Sequence, residues 1–122
     1  METFAKIFKS LSDETRLKML CLLLKGDELC VCDLMETLQI SQSKASRHLR
    51  YLLNAGLVKD RREAVWVYYR INDLPSKEQK EILKTLKAVL PRKVTESLTA
   101  SLRQWQVRKQ SLRNCIEGRS AL

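Results

Sequence analysis

ELCVCDLMETLQISQSKASRHL, residues 28–49, reads as two short helices joined by a turn, the first opening on a pair of cysteines. Leu34, Leu38 and Ile40 anchor the first helix and the turn. Ser41 or Ser43 can cap the second by accepting from its free backbone N–H groups. Ala45, Leu49, Leu52 and Leu53 recur at helical spacing and turn inward. The other face carries Gln42, Ser43, Ser46, Arg47 and Arg50 with no acidic side chain, and such a face suits entry into a DNA major groove. Lys44 suits a phosphate contact, as does His48, whose alternative is a packing role. The plain alternative for the whole face is a solvated surface.

Length and charge agree with a DNA-reading helix. At 122 residues and 44% hydrophobic content, the chain is expected to form one domain with an ordinary core. The apolar run at residues 19–24 is far too short for a membrane span, and METFAKIF at the start has no secretory pattern. A cytoplasmic protein without membrane association is therefore expected, with its four cysteines kept reduced. The net charge of +9 is unevenly placed. Residues 1–40 carry five basic and seven acidic side chains, residues 41–70 seven and two, residues 71–122 eleven and five. Positive charge thus begins at the proposed recognition helix, as an acidic polymer such as DNA requires.

Outward from the helix pair, Phe4, Ile7, Phe8 and Leu11 predict a short first helix. Ser12 and Asp13 interrupt it, and Leu17, Leu20, Cys21 and Leu24 form the inward stripe of a second, closed by Lys25 and Gly26. Cys21, among leucines, reads as a core residue. Residues 57–61 and 64–71 are β-rich and alternate, predicting a hairpin wing with a basic tip at Arg61 and Arg62. Asn72, Asp73 and Pro75 introduce a helix bearing Ile82, Leu83, Leu86, Val89 and Leu90, which Pro91 breaks. A last helix carries Val94, Leu98, Leu102, Trp105, Leu112 and Ile116 on one side. The expected fold is mainly α with a small β-hairpin. It comprises a winged helix-turn-helix domain over residues 1–91 and a C-terminal helical extension, 92–122, packed on the same domain. The apolar stripes of the last two helices exceed the needs of one winged helix. Together with Phe4, Ile7 and Phe8 they are assigned to a homodimer.

This order of elements, with ELCVCDL and SRHL, resembles the ArsR/SmtB family of metal-responsive bacterial repressors over roughly residues 8–71. The resemblance implies a homodimer on an imperfect inverted repeat in double-stranded DNA, released when a metal or metalloid binds. ELCVCDL is similar in particular to the arsenical-resistance repressors. By that likeness Cys30 and Cys32 are the thiolate ligands of trivalent arsenic, with antimonite as an alternative effector, and no resident cofactor is required. Two departures stand out. Met35 occupies the position of the subgroup's usual third cysteine, and Arg62-Glu63-Ala64 stands where the wing turn commonly has glycine. A third thiolate could come from Cys115, which could equally pack on its own helix, or from a small external thiol.

The cysteine spacing raises a geometric problem. Residues two apart on an α-helix point ~200° from each other. Cys30 and Cys32 could therefore share one ion only if the first turn were distorted or already open. Soft thiolates select soft ions over magnesium or calcium. Of the other metal sites that the family resemblance implies, a zinc site on the dimer helix lacks its histidines in residues 75–91, and a cadmium or lead site lacks its N-terminal cysteines in residues 1–20. Oxidation of Cys30 and Cys32 is the alternative signal. An enzyme is not expected. Neither cysteine is followed within ten residues by the arginine that an oxyanion-binding thiol enzyme would need.

Overall fold

Asp13 separates the first two helices by chemistry rather than by breaking the chain. Its backbone is extended and its carboxylate accepts from the Thr15 and Arg16 N–H groups at 2.8 and 3.2 Å, capping the second helix. The computed structural model describes the backbone of residues 1–120 and the side chains of residues 1–113. In order, the elements are α1 (Glu2–Ser10), α2 (Glu14–Leu23), β1 (Leu29–Cys30), α3 (Val31–Leu38) and α4 (Gln42–Asn54). They continue with β2 (Val58–Glu63), β3 (Trp66–Ile71), α5 (Lys77–Val89) and α6 (Arg92–Ser120). This is a winged helix-turn-helix, mainly helical.

The expected hairpin is a three-stranded antiparallel sheet of order β1-β3-β2. Two residues before α3, Leu29 and Cys30, pair with Tyr69 and Tyr68 of β3. A two-residue strand inside an otherwise helical stretch carries no periodic signal, so the sequence did not betray it. The wing turn falls at Ala64, which adopts φ 55° in the left-handed region where glycine is usual.

The core is built from Ile7 of α1, Leu20 and Leu23 of α2, Leu29, Leu34 of α3, Leu49 and Leu52 of α4, and Leu57. Met35 packs against this cluster as an apolar side chain, and Cys21 is buried at 4% exposure. Two assignments to a dimer surface are corrected here. Ile7 is wholly buried, whereas its neighbours Phe4 and Phe8 are exposed. Leu83 of α5 and Leu102 of α6 enter the core, and Leu98 and Trp105 lie against it, so the α6 stripe covers this subunit's own α2 and α3. The stripe is not surplus, because α3 has an outer face and α6 covers it. Val89, Val94 and Leu112 stay exposed. Ile116 and Cys115 lie outside the described side chains.

No helix among the described residues is long and apolar enough to cross a membrane.

Candidate nucleic-acid interface and thiol site

Ser41 starts α4 with an extended backbone and an Oγ that accepts from the Lys44 N–H at 3.2 Å. With Ala45, Leu49 and Leu52 at zero exposure, α4 is fixed on the core. Gln42, Ser43, Lys44, Ser46, Arg47 and Arg50 all face outward and are exposed. Gln42, Ser46 and Arg50 line a groove whose other wall is the wing, through Asp60, Arg62 and Tyr69. A polar helix face and a basic wing residue are thus presented on one side of the molecule.

His48 does not belong to that face. It is 6% exposed, and its Nδ1 lies 3.0 Å from Arg16 Nη1. A guanidinium only donates, so the imidazole accepts there and is neutral. Burial depresses its pKa below the ordinary value, reinforced by Arg16, Arg47 and Lys44 against the pull of Asp13. Positions 45, 48, 49 and 52 form one helical stripe, and this places His48 inside. Arg16 also donates to the Ser10 and Lys9 carbonyls at 2.8 and 3.0 Å and lies 4.3 Å from the Tyr51 ring centroid. It thereby pins α1, α2 and α4 together.

Arg61 is likewise committed within the protein. Its guanidinium grips the Glu28 carboxylate, reaches Glu63 at 3.0 Å and stacks over Tyr68 at 4.6 Å. The pairing holds Glu28 below the usual carboxylate range. Strand alternation sends Arg61 and Arg62 to opposite faces, so the adjacent pair is not one basic tip.

The thiol site lies at the start of α3. Cys30 is the helix N-cap, with extended backbone (φ −80°, ψ 164°), and Cys32 is in the first turn. The pair therefore escapes the opposed geometry of two residues inside a regular helix, and the two sulfurs meet. They are joined as a disulfide rather than held as free thiols. Reduction would leave two soft donors side by side, a fit for a thiophilic ion. The Asp33 carboxylate is close by, and the three groups' ligand atoms lie within 4.8 Å of one another.

Asp33 and Lys109 also belong to this site, as does Trp105, which the sequence marks only as part of an apolar stripe. Asp33 Oδ2 accepts from the Cys30 backbone N–H at 3.0 Å, and its Oδ1 accepts from Trp105 Nε1 at 2.9 Å and Lys109 Nζ at 3.0 Å. Lys109 Nζ also reaches Cys30 Sγ at 3.4 Å. An acid three residues after an N-cap is a helix-start signal that could have marked Asp33. Nothing local marks Lys109.

Residues 13–60 match the model of the bacterial regulatory protein arsR family. The chain is 49% identical to the arsenic resistance transcriptional regulator ArsR2 of Pseudomonas putida over 89 residues, spanning 72% of this chain and 77% of that protein. It is 51% identical to the arsenical resistance operon repressor of Escherichia coli over 67 residues, 55% of this chain and 57% of the relative. A solved homodimeric winged helix-turn-helix domain from Mycobacterium bovis, described as a possible ArsR-family regulator, superposes with a TM-score of 0.61 at 30% identity. It covers 72% of this chain and 78% of that one.

Proposed function

Because the chain belongs to the arsR family of bacterial regulatory proteins, we propose that it is a DNA-binding repressor of an arsenic-resistance operon. It leaves its operator when trivalent arsenic or antimony binds the reduced thiols of Cys30 and Cys32. One observation carries the reading: the two sulfurs meet at the first turn of α3, the helix directly before α4. When arsenite binds two thiols, two As–S bonds form and two As–O bonds break. The thiol protons depart with the hydroxyls as two waters. Closing that chelate fixes the first turn of α3, and α3 packs on α4. Coupling of this kind amounts to about 1–3 kcal/mol, enough for a several-fold to hundredfold loss of DNA affinity.

In the complex, Gln42, Ser43, Ser46, Arg47 and Arg50 read or approach the bases, and Lys44 and Arg62 neutralise phosphates. The working unit is a homodimer in the cytoplasm, as an inverted-repeat operator demands. Phe4 and Phe8, exposed on α1, supply part of the apolar contact. The likeness to arsenic-resistance regulators sets the metalloid ahead of thiol oxidation as the signal. A gel-shift titration on the DNA upstream of its own gene, under strict reduction, tests both. Release by arsenite supports the reading, and an undisturbed complex overturns it.

A further inference from the structure

Helix α6 reaches over the thiol pair and is bonded to it. Trp105 and Lys109 stand one turn apart on the α6 face that meets α3, and both donate to the same Asp33 oxygen. The other Asp33 oxygen holds the Cys30 N–H, so one carboxylate joins the sulfur-bearing backbone to α6. Asp33 is 4% exposed and Cys30 1%, and the Lys109 ammonium sits against Cys30 Sγ. A ligand that takes the Cys30 sulfur therefore meets a cation already in contact with it.

We propose that α6 is a clasp over the thiol pair, closed by Trp105 and Lys109 through Asp33, and that a ligand on the sulfurs opens it. The inference rests on the arsenite reading above. The clasp makes occupancy of the thiols and seating of α6 mutually exclusive, and a competing internal cation sets the threshold at which the effector binds. Because α6 also covers α2 and supplies Leu102 to the core, its displacement is felt beyond α3.

The test uses the reduced full-length protein with arsenite as the probe, on a Trp66→Phe background so that Trp105 alone reports. Sulfur–arsenic absorption in the ultraviolet measures binding, and Trp105 emission measures the clasp. Expected are a change in Trp105 emission at the same stoichiometry as the absorption, at least tenfold tighter arsenite binding in Lys109→Met, and near wild-type binding in Lys109→Arg. Circular dichroism of each variant checks that α6 remains folded. Absorption without any change at Trp105, and with Lys109→Met binding as wild type does, overturns the clasp and leaves the arsenite reading standing. No absorption at all in wild type overturns that reading, and the clasp with it.

Discussion

At the scale of single residues, His48 carries the clearest pH prediction. The folded state holds it neutral and below its ordinary pKa of 6.5, so the unfolded chain takes up the proton first as pH falls. Stability is therefore expected to be level with respect to this group above about pH 6.5. Below that it declines toward the folded pKa, with a slope that for one proton cannot exceed about 1.4 kcal/mol per pH unit. Urea titrations between pH 7.5 and 5 should show the decline in wild type and a flatter profile in His48→Gln. Because the imidazole is buried away from the outward face of α4, His48→Gln should also keep the wild-type salt dependence of operator binding, while Lys44→Ala lowers its slope by about one. Of the two roles the sequence leaves open for His48, burial fits the packing one, on the stripe that Ala45, Leu49 and Leu52 mark. Ala64 offers a second case. Its left-handed backbone strains any side chain, so Ala64→Gly is expected to stabilise the fold by about 0.5–1 kcal/mol in chemical denaturation.

At the scale of elements, α4 was legible because a 3.6-residue period separates an apolar stripe from a polar one, and nothing in the tertiary structure overrides it. Arg47→Ala and Arg50→Ala should each weaken specific binding by about 1–3 kcal/mol if they contact bases, measured by gel shift on operator and scrambled DNA. An unchanged operator affinity in the double variant would remove α4 as the reader. For α3, Cys30→Ser and Cys32→Ser are expected to bind the operator as wild type does and to stay bound in arsenite. Normal release in both would exclude them as ligands. The long-range partners of α3 could not be read from the sequence. Trp105 and Lys109 lie some seventy residues away from Asp33, and only folding brings such groups together. Arg61 differs from the expectation in its face and its partners. Adjacency in sequence suggested a shared surface with Arg62, and the period of two in a strand forbids it.

At the scale of the molecule, Phe4 and Phe8 leave one end of α1 apolar and exposed, against a chain with net charge +9. Sedimentation at micromolar concentration should give a dimer, and Phe8→Glu should shift it toward monomer with a parallel loss of operator affinity. The two-residue strand β1 sets a limit on how this protein can be broken. Cys30 is paired with the wing strand on one side and begins the helix before α4 on the other, so the proposed sensor stands directly beside the proposed reader. In genetic terms, the target for alleles that repress but no longer respond is small. Such alleles should fall almost entirely on the two cysteines and the side chains bonded to them. Alleles that have lost repression should scatter across the whole core.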